Sequence, residues 1–392
     1  IDTSNHPDYN ALVLFYNGLG GENWTNNTNW LSDEPINTWY GIGTLKGDGN
    51  SRVTSIYLKN NNLTGEIPEE ISQFSNLFNL DLSQNNLSGS IPQSITNLGK
   101  LAGVEIQFNN LSGEVPDLSG NEVFSYFYLN YNNFQFGDFE NSFTNYQNKI
   151  GSDYKYAPQY TISSTISYEL LNVGDDIDLV SELISGNNNT YQWSFNGAPL
   201  DINTIPNITD PTSPNLRISN IESNQFGTYQ CIAKNSLIPN LSYVVKTVEI
   251  GLPPTSSPDF ATLIALYNSL NGDNWQNKTN WLDASKPLST WYGIKETNGR
   301  ITEIIITNNN VSGVIPPELT GLTELEILAI ENSNLSGEIP SNIGNLTKLR
   351  VLSLYDGRGL TGNIPNSIQN CTNLEGLYLS FNQLDGNIPS SL

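Results

Sequence analysis

The chain has 392 residues, more than one ordinary core holds, and its length alone suggests about two or three domains. Its 39 Asp and Glu outweigh 16 Lys and Arg, and the formal net charge of −23 argues against nucleic acid and anionic membrane surfaces as partners. No apolar run approaches the ~18 residues of a membrane span, so no transmembrane segment is expected in this fragment.

Residues 1–52 read as an entry cap. Leu12, Phe15 and Tyr16 fall at helical spacing and predict a short helix over Asp8–Tyr16. A turn at Gly20-Gly21-Glu22-Asn23-Trp24 follows, then Trp30 and Trp39-Tyr40-Gly41-Ile42. The three tryptophans read as core first and as a ligand platform second. Gly47-Asp48-Gly49-Asn50 is too short a match for a calcium loop. His6 is the single histidine, which leaves no His-based triad and no His-rich metal site.

From Val53 onward one unit recurs, clearest at Leu77–Lys100, LFNLDLSQNNLSGSIPQSITNLGK. It reads L-x-x-L-x-L-x-x-N-x-L-S-G-x-I-P. Leu77, Leu80, Leu82, Leu87, Ile91, Ile95 and Leu98 are its inward positions, and the alternation at Leu80 and Leu82 is strand period. Burial within one unit does not offset the ordering of its backbone, so the unit predicts a stack of copies. Copies start at Val53, Leu77, Leu101 and Phe124, and again at Ile301, Leu325, Leu349 and Leu374. Asn61, Asn85, Asn109 and Asn132 form a ladder whose amides are expected to satisfy backbone groups. This pattern is identified as the leucine-rich repeat, and its S-G-x-I-P tail resembles the plant-type repeats of receptor ectodomains. The resemblance implies a parallel sheet on the concave side and short turns or 3₁₀ pieces on the convex side.

The fourth unit drifts to aromatics, FSYFYLNYNNFQFGDFENSFTNYQN, and 134–157 reads as an exit cap. Residues 158–252 change character. Strand-like runs at 160–168, 175–183, 190–195, 215–221, 227–234 and 242–250 alternate with polar turns. Trp193 and the Tyr229-x-Cys231 of a tyrosine corner resemble an I-set-like immunoglobulin domain. Ser181 stands where that family's partner cysteine would be, so a buried free thiol at Cys231 and no inter-sheet disulfide are expected. Cys371 occupies the convex slot that Leu322 and Leu346 fill in sister units, as a small core hydrophobe. A short Pro-rich linker, Gly251–Pro258, should be a semi-rigid spacer.

The cap then repeats at 259–300, with Trp275, Trp281 and Trp291 in place of Trp24, Trp30 and Trp39. In their cysteine-free form these caps resemble those of surface leucine-rich-repeat proteins from the Bacteroidetes group of bacteria. With no Met, a start at Ile1 and a stop at Leu392 inside a repeat, the chain reads as a piece of a longer protein. The expected fold is an α+β solenoid plus an all-β domain, ordered LRR–Ig–LRR. Residues 1–157 form the first capped array, 158–252 the immunoglobulin-like sandwich, and 253–392 a second, truncated capped array.

The concave sheets are where such a horseshoe presents ligand contacts. In the first array the outward candidates are Tyr57, Phe78, Asp81, Glu105, Phe108, Tyr126, Tyr128 and Tyr131. In the second, Glu303, Ile305, Glu326, Glu331 and Asp356 face out beside the candidates Tyr355, Tyr378 and Phe381. Aromatics among carboxylates and amides suit a sugar ring or a protein, because rigid amphipathic rings bury area at low entropic cost. In the second array Ser333 breaks the Asn ladder, and Asp356-Gly357-Arg358-Gly359 inserts a residue. Asp81 and Glu105 share a column at the ~4.8 Å strand spacing, near what a retaining glycosidase needs, but an open sheet offers nothing to desolvate one acid. No phosphate loop, dinucleotide fingerprint or EF-hand is present, and no cofactor or metal is expected. The expectation is a non-enzymatic, secreted or surface recognition protein that binds an extracellular protein or polysaccharide. The alternatives are an accessory module of an extracellular enzyme, an inhibitor of a polysaccharide-degrading enzyme, and a spacer.

Overall fold

A computed structural model describes residues 3–46, 51–163 and 165–390. Ile1, Gly47–Asn50 and Leu392 lie outside the described residues.

Each capped array is built in the same way. The first begins with a helix, Tyr9–Gly18, which buries Ala11, Leu12, Phe15 and Tyr16. Trp24 and Trp30 meet at 4.9 Å between ring centroids, and Trp30 and Trp39 at 5.3 Å. Their buried indoles close the open end of the first repeat. The second cap reproduces this, with Trp275–Trp281 at 5.0 Å and Trp281–Trp291 at 5.2 Å. The second cap differs at one atom: Trp39 donates its indole N–H to the Glu34 carbonyl at 2.9 Å, whereas that of Trp291 is buried with no partner among the described residues.

The concave sheet of the first array runs in the order Ile42–Thr44, Val53–Tyr57, Asn79–Asp81, Gly103–Glu105, Tyr126–Tyr128, Tyr154–Lys155. The first pair is antiparallel and every later pair is parallel. The second sheet runs Ile294–Thr297, Arg300–Thr307, Ile327–Glu331, Val351–Ser353, Gly376–Tyr378, again antiparallel only at its first pair. Convex turns are 3₁₀, at Glu69–Gln73, Gln93–Asn97, Pro317–Gly321, Ile343–Asn345 and Asn366–Asn370. The Pro of the repeat directly precedes four of these, at Pro68, Pro92, Pro316 and Pro365, where its missing N–H costs nothing.

The Asn ladder is a backbone device. The Asn85 amide donates to the carbonyls of Leu58 and Leu82, both at 2.9 Å, and its oxygen accepts from the backbone N–H of Asn61 and Leu63. Asn109 and Asn132 repeat the pattern. Gln159 then takes the next rung, donating to Leu129 O at 3.0 Å and accepting from Asn132 N–H at 2.9 Å. In the second array Ser333 and Gly357 occupy two successive rungs, and the buried Ser333 hydroxyl has no partner among the described residues.

The exit cap contains two short helices, Phe136–Phe139 and Phe143–Ile150, that bury Phe136, Phe139, Phe143 and Tyr146 over the last rung. The sandwich follows. Its larger sheet runs Ala198–Pro199, Asn189–Phe195, Gly227–Asn235, Ser242–Gly251, Ile166–Leu170, the last strand parallel to its neighbour. Ile177–Val180 pairs with Asn215–Ile218 in the other sheet. The first sandwich strand starts later than the run 160–168 suggests, because Tyr160 still donates its N–H to Asn132 O of the solenoid at 2.8 Å. Tyr229 donates to Gln225 O at 2.8 Å, closing the tyrosine corner. Trp193 and Cys231 are buried register partners, and the thiol is free.

The exit cap and sandwich are welded together. Tyr243 donates to Phe134 O, its ring meets Phe136 at 5.0 Å, and Gln135 accepts from Ser185 N–H at 2.9 Å. One continuous apolar core runs from the first cap through the sandwich, and a separate one fills the second array. The second joint is lighter: the Lys286 ammonium sits 3.7 Å over the Tyr168 ring, and Pro287 packs on Gly251.

Candidate functional site

Parallel pairing in strict register turns the repeat into columns. One column across the first concave sheet is Tyr57, Asp81, Glu105, Tyr128, Lys155, each the Cα partner of the next. The neighbouring column is Ser55, Asn79, Gly103, Tyr126. Two acids therefore stand side by side with a tyrosine at each end.

The tyrosines are locked. Tyr126 crosses Gly103 and donates its hydroxyl to Asn79 Oδ1 at 3.0 Å, and Asn79 Nδ2 donates to the Tyr57 hydroxyl at 3.0 Å. The Tyr126 and Tyr128 rings lie 5.4 Å apart. Burial, and then the Glu105 charge, push the Tyr126 phenol up to about 12, so it remains a donor. The Lys155 ammonium sits 3.9 Å from the Tyr128 ring centre, which shows that this ring face accepts a cation.

Asp81 accepts from the Ser83 N–H at 3.0 Å and hydroxyl at 2.6 Å, and Glu105 accepts from Gln107 at 3.3 Å. Among the described residues no ion pair reaches either acid. The second array differs. There Glu303 pairs with Lys295, Arg350 lies 2.9 Å from Glu375 and 3.9 Å from Glu326, and Asp356 pairs with Arg358 at 3.1 Å. Its concave acids are largely answered from within the chain.

Phe108 and Tyr131 form a second group. Their rings stack at 4.4 Å and 9°, with Tyr160 6.3 Å from Tyr131. Both residues adopt left-handed backbone, φ 60° and 56°, at a repeat position where Asn60, Asn308 and Asn332 do the same. Asn tolerates this conformation, and bulky rings do so at a cost of about 1–3 kcal/mol. Phe78 lies apart from both groups, on the rim of a separate cavity with Tyr57. In the second array Tyr355 meets Phe381 edge-on at 5.3 Å, while Tyr378 lies over Gly376. Sequence reasoning missed Asn79, which ties Tyr57 to Tyr126, and Lys155, whose strand is not a repeat.

The Leucine Rich Repeat family matches residues 52–74, 76–98, 324–346 and 373–392, and the Immunoglobulin domain family matches residues 157–235. No curated protein matches the chain. Similar solved structures include the PEPR1–AtPEP1 complex, at 20% identity over 98% of this chain and 49% of that chain, TM-score 0.30. They include the BIR3–SERK2 complex of Arabidopsis thaliana, at 29% identity over 33% of this chain and 73% of that one, TM-score 0.28. A third is the Arabidopsis receptor kinase HAESA with the peptide hormone IDA and the co-receptor SERK1, at 18% identity over 98% and 39%, TM-score 0.28. The chain thus spans about half of the PEPR1 chain and less of HAESA. With its two registered concave sheets and the sandwich between them, the chain carries leucine-rich repeats on either side of an immunoglobulin domain.

Proposed function

We propose that the chain is a non-catalytic recognition protein that works outside the cell or at its surface and binds a protein partner through the concave face of its first array. The observation that carries this reading is the column Tyr57–Asp81–Glu105–Tyr128, two carboxylates that no ion pair reaches among the described residues, with a tyrosine at each end. An arginine or lysine side chain of the partner fits there, held by the acids and by cation–π contact with the tyrosines. The cysteine-free caps support a bacterial surface setting by resemblance.

The test is a peptide array of extracellular protein sequences, probed with the chain and with its Asp81→Asn/Glu105→Gln variant. Basic peptides that bind the chain should lose at least tenfold with the variant, and the affinity should fall with added salt. Binding that ignores both the substitutions and salt would remove the reading. A polysaccharide remains the second reading, favoured by the stacked platform of Phe108 and Tyr131. A glycan array in which Phe108→Ala abolishes binding and the charge variant does not would select it.

A further inference from the structure

A cavity of about 340 Å³ opens on the cap-side end of the first concave sheet, lined by Leu45, Tyr57, Phe78, Asn76, Asn79 and Lys100 together with Thr54 and Ser55. Its size falls in the ~300–1,000 Å³ range of small-molecule sites. Leu45 is 66% exposed, and Tyr57 and Phe78 are each 48% exposed, so three large apolar groups face this space without cover. Among the described residues, Lys100 is the one charged residue lining it. Its ammonium donates to Asn76 Oδ1, and an ammonium has two further donors to give.

The duplication supplies an internal comparison. The residue before the second repeat is Asn76 in the first array and Glu324 in the second; the residue before the third repeat is Lys100 and Lys348. Lys348 is paired with Glu324, so its charge is neutralised within the chain. Phe78 likewise becomes Glu326. The first array has the same cation, a neutral amide where the second has a carboxylate, and an aromatic wall beside it. An external carboxylate completes what Glu324 completes in the sister array.

From this we propose that the cavity binds an organic monocarboxylate with a flat apolar body: the body lies between Tyr57, Phe78 and Leu45, and the carboxylate accepts from Lys100. This site is independent of the acidic column, sharing only Tyr57 with it, and its ligand carries the opposite charge. The same chemistry is offered by a free aryl acid and by a peptide chain ending in an apolar residue.

The probe is 3-phenylpropanoate, followed by ligand-observed NMR and calorimetry on the intact chain, beside the neutral 3-phenylpropanamide. The acid should bind saturably and at least tenfold more tightly than the amide. Asn76→Glu, which installs the sister array's own ion pair and so is compatible with the fold, should abolish that preference, as should Lys100→Gln. Phe78→Ala should weaken acid and amide together. Acetyl-Gly-Gly-Phe with a free carboxyl distinguishes the sources: tenfold tighter binding than the free acid identifies a chain terminus, and equal or weaker binding a small acid. No saturable binding of the acid, equal binding of acid and amide, or a preference that survives Asn76→Glu would each overturn the proposal.

Discussion

Tyr126 lies flat across Gly103: a β-carbon built at Gly103 would stand 1.8 Å from the ring's Cζ. The missing side chain is what lets the ring cross a whole strand and reach Asn79. Gly103→Ala should therefore displace Tyr126 and break the Tyr57–Asn79–Tyr126 chain. Tyr126→Phe keeps the ring and loses only the hydrogen bond, at about 0.5–1.5 kcal/mol. Chemical denaturation should rank Gly103→Ala as the more destabilising. The reverse order would mean that the crossing ring contributes little.

The Asn ladder makes a sharper prediction. Asn109→Ala leaves the buried Leu87 N–H without its acceptor and takes one of two amide donors from each of the Leu82 and Ile106 carbonyls, which keep those of Asn85 and Asn132. The expected loss is about 1–3 kcal/mol in denaturant titrations. Ser333→Asn should move the other way, because it replaces a partnerless buried hydroxyl with the amide that this rung uses elsewhere.

A pH effect is expected at the lighter joint. Glu296 lines a cleft with Glu249, Ser289 and Asn196 between the sandwich and the second cap. Burial, aided by the nearby Asp259 charge and opposed by the Ser289 backbone N–H, pushes its carboxyl from the ordinary 4.5 up to about 7. Below the ordinary value both folded and unfolded chains hold the proton. Between the two values only the folded chain does, so stability should fall as pH rises through that window and level off above it. Thermal melts at pH 4.5 and 7.5 should show this loss, and Glu296→Gln should reduce it and melt higher at pH 7.5. Equal pH slopes for the two proteins would contradict the burial of this carboxyl.

Cys231 should be inert. Burial pushes its thiol up to about 11, against the pull of the Ser181 hydroxyl and the Gln192 backbone, and the thiol is buried and free. A thiol reagent at pH 8 should label it only after denaturant unfolds the sandwich. Labelling of the native chain at Cys231, checked by peptide mapping, would show that the sandwich opens.

The repeat period made the solenoid legible, because a unit that cannot fold alone writes its stacking rule into every copy. Leu80, Leu82 and Asn85 recur at fixed offsets, and so do the columns they frame. The sandwich was legible from Trp193 and Tyr229, and Ser181 foretold the free thiol. What the sequence hid are pairings without a period. Asp8 accepts from Val53 N–H at 2.8 Å and pairs with Arg52 at 2.7 Å across the whole cap; Asp259 does the same for Ile301 and Arg300. Gln159 was hidden because one methylene more than Asn, after a non-repeat segment, carries no spacing signal. The exit helices were masked by aromatic content, although Phe136, Phe139, Phe143 and Tyr146 recur at helical intervals. Within the candidate site the outward positions followed from the strand period. Which of them join depends on Gly103 and Asn79, whose effect is one of reach rather than of pattern.

The shared core of the first array and sandwich has a mechanical meaning. A pull applied between the two ends of the chain meets one long stiff arm, from the Trp24–Trp39 cap to Gly251, and a shorter one beyond it. Bending strain collects where the apolar continuity stops, at Pro287 against Gly251 and Lys286 over Tyr168. Under the proposed function, a partner on the first concave sheet would ride on a lever pivoting at this joint, so that a few degrees of swing there would displace the bound surface by far more than the joint itself moves.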